Sequence, residues 1–218
     1  MPPETADRSE RRLRLTDRFP EWGIAALILS DAANIRYLTG FPGTEAAAIL
    51  TRDRVALLVD GRYTIEARET VRDAEIVEVR DWVEGVASVL AASTERRCGF
   101  ESDVLTVHAY ERLASALGTA GSMLPLSKEL SALRAVKDGS ELACMRTAAL
   151  IASEALLGLL PDLRPGLEER EIALELDVRM RRAGAEEISF PTIVASGRHA
   201  ALPHATPGFR RLEAGDAV

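Results

Sequence analysis

The run Ile24-Ala25-Ala26-Leu27-Ile28-Leu29 is apolar without a break. A strand with one wet face alternates apolar and polar side chains, so an unbroken run implies a strand covered on both faces. The flanking sequence supplies the cover. Residues 8–22 place Leu15, Phe19 and Trp22 among charges and read as one amphipathic helix. Residues 46–50 and 54–59 are two further strands, separated by the polar turn Thr51-Arg52-Asp53 of a hairpin. Residues 63–72 read as a helix and residues 75–79 as a strand. Residues 82–92 form another helix, and Cys98-Gly99-Phe100 starts another strand. Residues 106–117 are helical, with Leu113 and Leu117 one turn apart. Strands interleaved with helices predict a three-layer α/β domain with a mixed sheet.

A second part begins after residue 128. Leu124-Pro125-Leu126 is extended, because the residue before proline is pushed out of the helical region. Residues 128–136 read as a short connecting helix. In Asp138-Gly139-Ser140-Glu141, Asp138 is an N-cap and Glu141 completes a capping box. The helix from Ser140 carries Leu142, Met145, Ala149, Ala152, Leu156 and Leu159 as one stripe and stops at Pro161. Pro165-Gly166 precedes a second helix that has Glu168 and Glu169 in its first turn and Gly184 at its end. Residues 192–195 read as a strand, and Ala217-Val218 as the opening of another. Two helices and such fragments cannot bury their apolar faces alone, so this part is expected to be completed by further chain or by another chain. The expected division is a domain over 1–128, a linker over 129–139 and an incomplete domain over 140–218.

With 218 residues, 47% apolar and 28% charged, the chain can bury a real core and has the balance of a soluble globular protein. A net charge of −7 disfavours a nucleic-acid partner. No apolar run reaches the roughly 20 residues of a membrane span, and residues 1–18 mix acids and arginines unlike a signal peptide. Cys98 and Cys144 lie in separate segments, as in a reducing, cytoplasmic compartment.

Few residues offer chemistry. His108 stands alone near a helix start. His199 and His204 are separated by Pro203, and their spacing is not the i, i+4 of helical zinc sites. Pro203 fixes the backbone before His204 and Pro207-Gly208 closes the loop after it. Such a loop can aim one imidazole at a pocket or leave it on the surface. There is no GxSxG elbow and no Walker-type phosphate loop. Ser196-Gly197 reads as a turn, and Cys98 and Cys144 as buried small hydrophobes. Glu168-Glu169 reads as helix-start charge, Glu186-Glu187 as solvated loop and Asp216 as a turn former.

Several blocks carry a family resemblance. Asn34-Ile35-Arg36-Tyr37-Leu38-Thr39-Gly40-Phe41, Leu58-Val59-Asp60-Gly61-Arg62-Tyr63, Gly99-Phe100-Glu101 and Leu133-Arg134-Ala135-Val136-Lys137 resemble the N-terminal domain and linker of Xaa-Pro metallopeptidases. The most specific block, from Phe190-Pro191-Thr192-Ile193-Val194 through Leu202-Pro203-His204 to Gly215-Asp216-Ala217-Val218, is similar to their substrate-side wall. The family is that of aminopeptidase P and prolidase. The resemblance implies a creatinase/prolidase-type N-terminal domain, then the first part of a "pita-bread" α+β catalytic domain. It implies hydrolysis of the bond before proline in proline-containing peptides, by a homodimer using two divalent metal ions (Mn, Co or Zn). Phe190 matches a pocket-lining position, and His204 an imidazole that contacts substrate and stabilises the tetrahedral intermediate. The family's metal ligands match nothing in residues 1–218, so this stretch alone is expected to bind no metal pair and to be inactive. The alternative is a non-catalytic peptide-binding module of the same architecture.

Overall fold

The computed structural model describes residues 8–91, 97–118 and 122–218. Residues 1–7, within the reading of the chain start, and Ala92, expected to end a helix, lie outside them. Two compact units are present, one ending at Val136 and one beginning at Lys137.

In the first unit β1 (Ala26–Leu29), β2 (Ala47–Thr51), β3 (Val55–Val59), β4 (Glu75–Glu78), β5 (Arg97–Glu101) and β6 (Ser122–Leu126) form one mixed sheet. Its order is β4-β3-β2-β1-β5-β6. β2 is antiparallel to β1 and to β3, while β1–β5, β5–β6 and β3–β4 are parallel pairs. All of β1 is buried, as its unbroken apolar run demands. Leu27 and Leu29 face one layer: α1 (Arg8–Thr16), α2 (Phe19–Trp22), α3 (Ala32–Thr39), α4 (Thr64–Thr70) and α7 (Glu129–Ala135). Ala26 and Ile28 face α5 (Trp82–Ala91) and α6 (Val107–Leu117) on the other side. The three-layer expectation is met.

Local chemistry explains where the expected elements differ. Residues 8–22 are two helices and not one, because Pro20 has no amide to continue the ladder and takes a first-turn position in α2. No helix was expected at 32–39. Yet Asp31 accepts from Asn34 N at 2.9 Å at its start, and Gly40 ends it at φ 81°. Arginines of α1 then cover its last carbonyls: Arg11 Nη1 donates to Tyr37 O at 3.1 Å and Arg12 Nε to Leu38 O at 2.9 Å. The stretch around Pro125 is a true strand, β6, tolerated at the sheet edge where a missing N–H costs little. Residues 129–135, expected within the linker, form α7, which buries Leu130 in this unit's core.

The second unit opens with α8 (Gly139–Leu159), whose Asp138–Glu141 capping box forms as expected. After a 3-10 turn and a loop, α9 (Glu169–Arg182) packs on α8. Leu159, Ile172, Ala173, Val194 and Leu212 make a small core. The stripe expected on α8 is not buried as a whole, since Met145 is 54% and Leu156 48% exposed and only Leu159 enters that core. No uninterrupted apolar run reaches the length of a membrane span, but one helix passes by length and composition alone. Gly139–Asp162 is long and apolar enough, although Glu141, Arg146 and Glu154 interrupt any continuous apolar run. Residues 192–195 form no strand. An extended segment becomes one only with a ladder partner, and the nearest pairing is a single bond from Gly197 N to Ala217 O at 2.9 Å.

Candidate functional site

Buried carboxylates with polar partners mark both units: Glu101 in the first, and Glu169 beside the also buried Glu168 in the second. In the first, β1 and β5 run parallel and end together, which places Glu101 beside the start of α3. Glu101 Oε2 accepts from Ser30 N at 2.6 Å and Asp31 N at 2.8 Å, and Oε1 from Asn34 Nδ2 at 2.7 Å. Asn34 Oδ1 in turn accepts from Arg134 Nη1 of α7 at 2.9 Å. Burial pushes the Glu101 carboxyl above the usual range, and the bonds from Ser30, Asp31 and Asn34 offset this only in part. Three of the blocks singled out by resemblance thus meet in one network.

The second carboxylate belongs to Glu169, in the first turn of α9, with its side chain 1% exposed. Its Oε1 accepts from Ser196 N and Ser196 Oγ, both at 2.8 Å. His199 Nδ1 lies 3.2 Å from each carboxylate oxygen, and Gly208 N donates to Oε2 at 3.4 Å. Burial opposes the charge, but the bonds from Ser196, His199 and Gly208 outweigh it and hold the carboxyl below its ordinary range. Beside it Arg210 Nη1 reaches Ser196 Oγ at 2.8 Å and Asp216 Oδ2 at 2.7 Å. That pairing lowers the Asp216 carboxyl. Gly197, at φ 50°, leaves no room for a Cβ against the Arg210 guanidinium and the Asp216 carboxylate.

The structure sorts the residues read from the sequence. His204 is exposed and makes no side-chain hydrogen bond among the described residues, and Phe190 is 64% exposed. His199, which the spacing left undirected, is the imidazole held in place. Ser196 is fully buried and bonded to Glu169, an arrangement that ties down a turn and offers no exposed nucleophile. Asp216 does form its turn, accepting from Glu213 N at 2.9 Å, and pairs with Arg210 as well. Glu168 caps α9 with Glu171, and neither it nor Glu169 is a surface charge. Nothing in the sequence separates two adjacent glutamates at a helix start, so Glu169 was missed. His108 and Glu186-Glu187 are exposed. Cys98 is buried as expected, but Cys144 is exposed, on the open face of α8; neither is in a disulfide among the described residues. Among the described residues, no three His, Cys, Asp or Glu side chains are grouped to hold a metal ion.

Residues 11–136 match the Creatinase/Prolidase N-terminal domain, and residues 143–218 match Metallopeptidase family M24. An uncharacterized peptidase, YqhT, from Bacillus subtilis (strain 168) is 32% identical over 94% of this chain and 58% of its own length. The Xaa-Pro dipeptidase from Bacillus anthracis superposes with a TM-score of 0.91 at 33% identity, over 96% of this chain and 59% of that one. The X-Pro aminopeptidase from Thermotoga maritima MSB8 gives 0.85 at 30% identity, over 96% and 58%. The chain therefore spans a little under three fifths of the relatives it matches.

Proposed function

The chain belongs to the creatinase/prolidase family of peptidases, and from that premise we propose that it is the N-terminal part of a dinuclear-metal Xaa-Pro peptidase. The observation that carries this is the match of residues 143–218 to Metallopeptidase family M24, reinforced by the likeness to an Xaa-Pro dipeptidase and an X-Pro aminopeptidase. On this reading residues 1–128 are the N-terminal domain, 129–139 the passage and 140–218 the start of the catalytic domain. Among the described residues no side chains are grouped to hold a metal ion, and on this reading the ligands to the two ions, whether Mn, Co or Zn, belong to the rest of the complete protein. When bound there, the ions would activate a hydroxide and polarise the scissile carbonyl.

The chain's own contribution is recognition and charge stabilisation. A bond to proline has a tertiary amide with no N–H, so the ring must be read by shape. The exposed Phe190 ring offers an apolar wall for that purpose. His204, with no side-chain hydrogen-bond partner among the described residues to compete, can donate to the oxyanion as it develops. The substrate is a proline-containing peptide, the assembly a homodimer and the compartment the cytoplasm, where cysteines outside disulfides persist as thiols. The test is hydrolysis of Xaa-Pro dipeptides and longer Xaa-Pro peptides by the complete protein with each metal in turn. Peptide binding without cleavage would favour a non-catalytic module.

A further inference from the structure

We propose that Glu169 is a positioning residue: its buried carboxylate clamps both ends of the loop 196–208 and so fixes where His204 is presented. The inference rests on the peptidase reading for its consequence in catalysis, but not for the clamp itself. Every recorded donor to the carboxylate comes from that loop: Ser196 and His199 near its start, and Gly208 at its end. None comes from α9. The far end is tied to α9 again by Glu169 N donating to Arg210 O at 3.0 Å and Arg170 N to Gly208 O at 3.2 Å.

Between the clamped ends the loop is braced by its own backbone. His199 N bonds Ser196 O at 2.9 Å, Leu202 N bonds His199 O at 2.9 Å, and Ala205 N bonds Leu202 O at 3.3 Å. This relay leads from the clamp to the residues on either side of Pro203-His204. A charge buried this deeply is costly unless its donors stay in place, so removing the charge relaxes the loop and restoring it demands one geometry. Among the described residues, the His204 side chain has no hydrogen bond or ion pair that would orient it. Its aim therefore depends on the loop's backbone.

The experiment has two arms. In the complete protein, Glu169→Gln should speed amide hydrogen exchange at 197–207 at least tenfold while α8 and the first unit's sheet keep their protection. Unchanged exchange at 197–207 would overturn the clamp, whatever the protein does catalytically. In the complete protein, Glu169→Gln should lower kcat by about 10- to 100-fold, as loss of a charge-assisted contact predicts. KM should change less and metal content should be unaltered. In a His204→Ala background the same substitution should cost under about twofold, because its effect passes through His204. An equal loss in both backgrounds would refute positioning. Should Glu169→Gln fail to fold, Ser196→Ala removes one of the bonds to the carboxylate, together with the one from Arg210 Nη1 to Ser196 Oγ, and should move both readouts in the same direction by less; no movement would refute the clamp. If the wild-type complete protein cleaves no Xaa-Pro bond, the peptidase reading fails while the exchange arm still decides the clamp.

Discussion

Asn34 Nδ2 donates to Glu101 Oε1 at 2.7 Å, joining stretches 67 positions apart at the adjoining ends of β1 and β5. Arg134 closes the set by donating to the same asparagine. Asn34 therefore serves as donor to a buried carboxylate and acceptor from an arginine, a pair of roles that an apolar residue of its size cannot fill. Asn34→Leu should destabilise the first unit by about 1–3 kcal/mol, the usual cost of leaving buried polar groups unpaired. Urea unfolding of the 218-residue chain checks this, and an unchanged midpoint would contradict it.

Glu101 also carries a pH dependence of unusual sign. Its folded carboxyl titrates above its ordinary value, chiefly through burial. The folded state thus binds this proton more tightly than the unfolded chain does. The stabilisation is complete below the unfolded pKa and is lost as pH rises through the raised folded value. Relative to Glu101→Gln, the wild type should gain stability between pH 7 and pH 5. A difference that does not vary with pH would show that no proton is linked. Glu169 behaves oppositely: its lowered carboxyl contributes stability at neutral pH that is lost in acid.

The strand β1 tests the three-layer architecture. Leu27 is fully buried between a helical layer and its neighbouring strands. Leu27→Ala should cost about 2–5 kcal/mol through lost transfer energy and a residual cavity. A loss well under 1 kcal/mol would mean that this face is not closely packed.

Much of the fold was legible where its signals are local. Apolar runs marked β1 to β3, and the Asp138–Glu141 box marked the start of α8. Helix α3 was not legible as an element, although Asp31 and Gly40 bracket it, because its 8 residues make little more than two turns and show little periodicity. The break at Pro20 was legible in principle. The Glu169 cluster was not. It depends on Ser196, His199 and Gly208 folding back over the start of α9, and a glutamate in a first turn carries the same local signal whether it is solvated or buried.

The two histidines make a paired prediction. In the complete protein His204→Ala should lower kcat by about 100- to 1000-fold, the range for losing one donor to a developing oxyanion, with metal content unchanged. His199→Ala removes one partner of Glu169 and leaves Ser196 and Gly208 in place, so its cost should be smaller, under about tenfold. Loss of a metal ion in His204→Ala would make that residue a ligand. Full activity would remove it from the mechanism.

The most direct measurement is turnover by the purified complete protein, loaded with Mn, Co or Zn, against Ala-Pro and a longer Ala-Pro peptide, beside the 218-residue chain alone. The account predicts cleavage of the bond before proline by the complete protein with two ions bound. It predicts no cleavage by residues 1–218, where no set of side chains is grouped to hold a metal among the described residues. A complete protein that binds two ions yet leaves every Xaa-Pro bond intact, or a 218-residue chain that cleaves them, would contradict it.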